Sequence, residues 1–293
     1  MGLFLETLIG GLLAGTMYSL VAIGFVLIYK ASGVFNYAQG SLLLFAALTF
    51  VTLHEKGLPF AVALLVTVLV LVVAALLIER WVLRPLANRS QITLFMATLG
   101  LSFVVEGVAQ GLMGAEVHSL DLGIDDVPIF IGGLMVSQFD ALAAATAAVL
   151  VTVLALLFNK TRIGVSLRAV ADDTRAALSL GINLNRIWQI VWAVAGVVGL
   201  VAGMLWGARQ GVQFSLSFVV LKALPVLIIG GFTSIGGAIA GGLIVGASET
   251  LAEAYIGPYI GGGITPWFAY FLAISFLYVR PAGLFGERTI ERV

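Results

Sequence analysis

The chain has 293 residues, of which 61% are hydrophobic and 10% charged, with a mean hydropathy of +1.12, whereas soluble domains carry about 25% charged residues. A surface this apolar would aggregate in water and needs lipid as its solvent. Net charge is zero, cysteine is absent and the two histidines, His54 and His118, stand far apart, which excludes disulfides, thiolate-bound zinc and iron–sulfur clusters and points to no metal or nucleic acid.

Taken in chain order, the segment Met1 to Glu6 has no basic region, and the run Thr7 to Tyr29 lacks a small-residue cleavage site, so a first span is expected rather than a signal peptide. Ala31 to Leu53 is uncharged, but Ser32-Gly33 and Asn36-Tyr37-Ala38-Gln39-Gly40 make its first third polar and kinked. Uncharged runs follow at Gly57 to Ile78, Gln91 to Val105, Ala141 to Phe158 and Ile187 to Ala208. Ala223 to Ser248 is interrupted at Gly230 to Gly237, which predicts two short helices meeting at a turn. The last run is Ala254 to Val279. A crossing helix needs roughly 20 apolar residues, and runs this long exclude a closed barrel. The expected fold is all-α: one polytopic transmembrane helix bundle over residues 1–293, with about eight to nine spans and broken or re-entrant segments.

Cytoplasmic loops are enriched in Lys and Arg. Lys30; Arg80, Arg84 and Arg89; Lys160, Arg162, Arg168, Arg175 and Arg186; and Arg280, Arg288 and Arg292 fall in four places that alternate correctly for one side, 12 of the 15 basic residues. The loop Gly114 to Asp140 holds Glu116, Asp121, Asp125, Asp126 and Asp140 without a basic residue. The amino terminus is therefore expected outside and the carboxyl terminus in the cytoplasm. Trp81 and Trp188 are expected at inner headgroup level, Trp206 and Trp267 at outer headgroup level.

Glycines four apart share a helix face: Gly11 with Gly15, Gly199 with Gly203 and Gly207, Gly237 with Gly241, and Gly242 with Gly246. In lipid such faces let helices pack closely, or slide during gating. No phosphate-binding G-x-x-x-x-G-K-[ST] loop surrounds any of the four lysines, and no G-x-S-x-G or H-E-x-x-H occurs, so the chain is expected to be no enzyme and to hold no cofactor.

Ionisable groups within spans default to functional candidates. Glu106 and Gln110 share one face and suit either solute gating or a hydrogen bond to a neighbouring helix. Glu249 and Glu253 suit a solvated rim. Lys222 and Arg209 lie on the otherwise Lys/Arg-poor side and suit either carboxylate attraction or snorkelling at a membrane edge. Asn36, Tyr37 and Gln39 suit a pathway lining, because broken helices leave backbone groups that protein or a water-filled cavity must satisfy. The inner loop Asn159 to Arg186 is amphipathic. Arg168, Ala169, Asp172, Arg175, Ala176, Ser179 and Asn183 fall near one face, while Val165, Leu167, Val170, Leu178, Leu180 and Ile182 supply apolar contacts. A short helix there suits a membrane-surface anchor or a knob inserted into a soluble partner.

Arg175-Ala176-Ala177-Leu178-Ser179-Leu180-Gly181 resembles the coupling loop of ABC importer permeases, with Ala176, Ala177 and Gly181 matching and Arg175 replacing a glutamate. Tyr29 with Asn36-Tyr37-Ala38-Gln39-Gly40, Arg84-Pro85-Leu86, Lys222-Ala223 leading to Gly230-Gly231 and Ile235-Gly236-Gly237-Ala238, and Arg280-Pro281-Ala282-Gly283-Leu284 resemble the branched-chain amino acid permease family across nearly the whole chain. The resemblance implies an importer in the bacterial inner membrane. Its partners are a second homologous permease, two cytoplasmic ATPases that hold ATP and magnesium, and an extracytoplasmic solute-binding protein. It further implies that Arg168, Asp172, Arg175, Ala176, Ala177 and Gly181 couple the ATPase to the spans. Solutes in the same importer class include urea, short amides and aromatic carboxylates. An ion-coupled transporter using Glu106 is the alternative mechanism.

Overall fold

The computed structural model describes residues 2–86, 89–124 and 127–286, apart from the side chains of Ile131, Thr174 and Arg175. Expectations placed on Asp125, Asp126, Arg288, Arg292 and the Arg175 side chain lie outside the described residues. The chain divides into two compact units, one of residues 1–26, 123–152 and 220–293, the other of residues 27–122 and 153–219.

Six helices are long and apolar enough to cross a membrane among the described residues. They are α1 (Gly2–Ser32), the segment Phe60–Leu86 comprising α3 (Phe60–Ile78), a π-helical turn (Glu79–Leu83) and α4 (Arg84–Leu86), then α5 (Gln91–Met113), α6 (Gln138–Lys160), α9 (Leu184–Gln210) and α11 (Ile235–Tyr255). Shorter helices are α2 (Gln39–Glu55), α7 (Arg162–Asp172), α8 (Thr174–Ser179), α10 (Val219–Gly230), α12 (Gly257–Ile260) and α13 (Thr265–Val279). Six rather than eight or nine helices therefore meet the length criterion. The breaks fall where expected: α1 ends at Ser32 and α2 begins at Gln39, while α10 and α11 are separated by four residues; of the two short helices expected at the second break, α10 is short but α11 runs 21 residues.

Side-chain size is partitioned for lipid rather than water. On α3 the buried stripe is Ala63, Thr67, Leu71, Ala75 and Ile78, at helical spacing, while Leu65, Leu69, Val73 and Leu77 face outward. Without a hydrophobic drive between helices, small residues such as Ala63, Thr67 and Ala75 bring the packed side close to its neighbours. Seventy-eight per cent of the most apolar window of α1 is buried, against 28% for Phe60–Leu86, α5 and α6, so α1 is an interior helix and the other three are peripheral.

Helix entries are set by polar caps. The side chains of Ser90, Thr161, Asn183 and Ser234 accept from the backbone N–H groups of Thr93, Gly164, Arg186 and Gly237, satisfying donors that a helix start leaves free.

Four expectations need correction. The loop Gly114 to Asp140 contains a β-hairpin, β1 (Pro128–Ile131) with β2 (Leu134–Ser137), paired antiparallel, so the helical fold carries one short strand pair. Its two-residue turn, Gly132-Gly133, has φ of 61° and 84°, the conformation that such hairpins require. The inner loop forms two helices, α7 and α8, broken at Asp173, whose carboxylate caps the second by accepting from Ala176 N at 3.0 Å. The last apolar run is divided at α12 and its glycines, so α13 starts at Thr265 rather than Ala254. Finally, Trp188 and Trp206 are buried, Trp188 donating to the Ala31 carbonyl at 3.1 Å; only Trp81 and Trp267 are exposed as an interfacial belt would require.

Candidate functional site

In the second unit α2 is buried along most of its length and packs against α3, α5 and α9. Its approach turn carries the polar residues singled out above. Asn36 and Gln39 are both 1% exposed. Asn36 Oδ1 accepts from Ala38 N at 3.2 Å, and its Nδ2 reaches Gln39 Oε1 at 3.5 Å. Tyr37 N donates to Thr98 Oγ1 at 3.1 Å, and its ring meets Phe95 edge-on. Two turns above on α5, Glu106 accepts from Ser41 Oγ at 2.8 Å, so α2 and α5 are tied at both levels. Gln110 is half-buried one turn further along. Gly199 and Gly203 lie against α2: a Cβ on Gly199 would be 3.6 Å from Gln39 Nε2, and one on Gly203 would be 2.7 Å from the Leu43 carbonyl oxygen. Gly207 instead faces Val212.

The first unit holds a separate polar cluster. Lys222 Nζ on α10 donates to Glu249 Oε1 on α11 and to the Thr265 carbonyl, and lies 5.7 Å over the Tyr18 ring of α1. Tyr18 Oη also donates to Glu249 Oε1, at 3.3 Å. Glu249 is 4% exposed, which corrects the expectation of a solvated rim. Glu253, one turn on, accepts from the backbone N–H groups of Gly263, Ile264 and Thr265 at 2.7, 2.7 and 3.1 Å, anchoring the start of α13. On α11 Gly237 and Gly241 face α10, meeting Gly230 and Val226, while Gly242 and Gly246 face Gly15 and Gly11 of α1.

Segments separated in sequence meet at the C-terminal end of α10. Leu284 N donates to Ile229 O at 2.7 Å and Phe285 N to Gly230 O at 3.1 Å. Leu284 and the following Phe285 thus supply the hydrogen bonds that the Gly230-Gly231 break leaves unmade within α10.

The inner loop divides the expected coupling residues. Asp172 and Ala176 are exposed, whereas Ala177 is 2% exposed. Arg168 Nη1 donates to the Phe158 carbonyl at 2.7 Å, closing the end of α6 rather than projecting. Gly181 has φ +81°, with Gly181 N donating to Leu178 O and Ile182 N to Ala177 O; these are the two hydrogen bonds of a left-handed helix stop. Two cavities of about 560 and 510 Å³ flank this turn. Arg162, Ser166, Asn183 and Arg186 line the first, and Arg84 and Leu178 the second.

Sequence reasoning missed three features here. Leu178 and Leu180, expected to supply apolar contacts, are 52% and 80% exposed, a side that the sequence reading did not assign. Glu79, in the π-helical turn, is fully buried and is bound by Arg84 and by Gln189 of α9. Glu249 was read apart from Lys222. Only the charge of Glu79 in an apolar run was a visible signal.

A profile of the family described as branched-chain amino acid transport system / permease component matches residues 7–279. The high-affinity branched-chain amino acid transport system permease protein LivH of Salmonella typhimurium is 28% identical over 99% of this chain and 98% of its own length. The corresponding protein BraD of Pseudomonas aeruginosa is 27% identical over 99% and 98%. The probable branched-chain amino acid transport permease protein LivH of Methanocaldococcus jannaschii is 27% identical over 94% and 91%. PsaBC from Streptococcus pneumoniae, solved in complex with Fab, is a looser match, with a TM-score of 0.48 at 17% identity over 92% of this chain and 89% of that one.

Proposed function

This chain belongs to the branched-chain amino acid transport permease family, and on that premise we propose that it is the membrane-spanning subunit of an ATP-driven importer of branched-chain or related amino acids. The observation that carries this reading is the match to permease proteins along nearly their whole length as well as its own. The chain works as one permease domain in the bacterial inner membrane, its amino terminus outside and its carboxyl terminus cytoplasmic. Its count of eight to nine passages adds the shorter helices α2, α10 and α13 to the six long ones. Its partners are a second homologous permease, two cytoplasmic ATPases that bind ATP and magnesium, and an extracytoplasmic solute-binding protein.

Coupling runs through α7 and α8. Asp172, Ala176, Leu178 and Leu180 face outward and form the surface offered to the ATPase, while Arg168, Ala177 and Gly181 hold its shape. Such a surface transmits motion because it belongs to a two-state element biased by nucleotide. Asn36, Tyr37, Gln39, Glu106, Gln110 and Lys222 are the polar groups available to the solute pathway.

Reconstitution tests the reading. The four-component complex in proteoliposomes is expected to accumulate labelled leucine, isoleucine or valine only with internal ATP and the binding protein. Uptake of urea, short amides or aromatic carboxylates in their place would redirect the substrate class. Accumulation on an ion gradient without the ATPase would overturn the mechanism.

A further inference from the structure

We propose that Lys222 and Glu249 form a binding site for a zwitterionic α-amino acid, exchanging their mutual ion pair for the two charges of the ligand; this rests on the transport reading above and assigns its solute a place in the chain.

Depth is the first ground. Tyr18, which donates to Glu249 and lies beneath Lys222, is close to the midpoint of α1, a helix of 31 residues and therefore about 46 Å long. Charges at such a level of a membrane protein are costly and are retained for pathways and ligands.

The second ground is an unused acceptor. Both hydrogen bonds to the Glu249 carboxylate, from Lys222 and Tyr18, go to Oε1. Oε2 is buried and accepts from no group among the described residues. Buried polar atoms in folded proteins are nearly always satisfied, and an ionised carboxylate has about four acceptor positions. An ammonium group is the donor that complements a bare carboxylate oxygen in both charge and hydrogen bonding.

The third is asymmetry. The side chain of Lys222 is 24% exposed and that of Glu249 is 6% exposed, so an incoming ligand meets the cation first. A ligand carboxylate takes a proton donor of Lys222, and the ligand ammonium then donates to Glu249 Oε2. Every charge stays paired throughout, so the exchange avoids the cost of an uncompensated buried ion. A ligand with only one of the two charges leaves Lys222 or Glu249 without its partner. The site therefore selects for both charges on one small molecule, independently of the side chain attached.

The experiment uses the complete complex in proteoliposomes. Lys222→Met and Glu249→Gln are each expected to purify with the ATPase in wild-type amounts and to lower leucine uptake roughly tenfold or more, the weight of one charge-assisted hydrogen bond. The reversed pair K222E/E249K separates binding from architecture. It is expected to recover the melting temperature of the wild type without recovering uptake, because the polarity offered to the zwitterion is inverted. Wild-type uptake by the reversed pair, or by the neutral pair K222M/E249Q, overturns the proposal. An arm that needs no variant is binding of labelled leucine to the wild-type permease–ATPase complex without the binding protein. Excess leucine is expected to compete, and 4-methylpentanoate and 3-methylbutylamine, each lacking one charge, are not; equal competition by the singly charged analogues also overturns it. If the wild-type complex moves no amino acid with ATP, the transport reading fails instead.

Discussion

Arg84 grips Glu79 with two parallel hydrogen bonds, Nε to Oε1 at 3.0 Å and Nη2 to Oε2 at 2.8 Å, while Gln189 Nε2 donates to the same Oε2 at 3.0 Å. The carboxylate sits in the π-helical turn and has no solvent exposure. It joins the C-terminal end of α3 to α9, within the second unit. Arg84 also lines one of the two cavities beside Gly181, so the grip fixes one wall of that cavity. Glu79→Ala leaves a guanidinium and an amide facing each other without an acceptor. Its melting temperature in detergent is expected to fall by several degrees. Arg84→Lys keeps the charge but loses the fork and should lie between Glu79→Ala and wild type. A Glu79→Ala protein that melts with the wild type would remove the grip from the account of stability.

Gly181 is fixed by backbone geometry. Its φ of +81° costs a residue with a Cβ about 1–2 kcal/mol, and Asn tolerates that region better than Ala or Val. The expected order of ATP-driven uptake is therefore Gly, then Asn, then Ala, then Val. Because the turn orients α8, the loss should show as more ATP hydrolysed per solute imported. An Ala variant as tightly coupled as wild type, with Asn worse than Ala, would contradict this.

Leu178 and Leu180 are the apolar groups that the inner turn leaves in the open. Exposed leucines that cluster on one surface are a candidate contact for a partner, and the proposed coupling role makes that partner the ATPase. Leu180→Glu is expected to leave the melting temperature of the isolated permease unchanged and to reduce co-purification of the ATPase at least tenfold, since a charge placed in an apolar contact is desolvated without a partner. Quantitative pull-down at matched permease levels checks this. Undiminished ATPase recovery would place the contact elsewhere.

Hydropathy made most of the long helices legible, as well as both broken segments, because run length and clusters of Gly, Asn and Ser are local signals. The hairpin did carry a local signal that the sequence reading did not use: Gly132-Gly133 between Pro128-Ile129-Phe130-Ile131 and Leu134-Met135-Val136-Ser137 is a short-range turn pattern. What was not legible is who meets whom. Lys222 and Glu249 are 27 residues apart, and Gln189 lies 110 residues from Glu79; no periodicity within one helix reports such pairs. The exposure of Leu178 and Leu180 was not legible either, because amphipathic patterning distinguishes faces without saying which face is covered. Trp188 illustrates the same limit, since a belt residue and a buried donor to Ala31 look alike in sequence.

The glycine pairs of α1 and α11 make a stability prediction that follows from distance alone. A Cβ on Gly11 would lie 2.8 Å from the Gly246 carbonyl oxygen, and one on Gly15 would be 3.0 Å from Leu243 Cα and closer still to Gly242 O. These neighbours are backbone, so they cannot swing aside as a side chain would. Gly10, by contrast, has open space around its Cβ position. Gly15→Val must push α1 and α11 apart, losing close contact along the seam, at a cost of about 1–3 kcal/mol or more. Gly10→Val adds a side chain of the same size to the same helix without that clash. The expected outcome is a large fall in melting temperature and in monodisperse yield for Gly15→Val, with Gly10→Val near wild type. Equal behaviour of the two variants would mean that the seam is not packed at this distance, and with it the placement of Tyr18 beside Glu249 would have to be reconsidered.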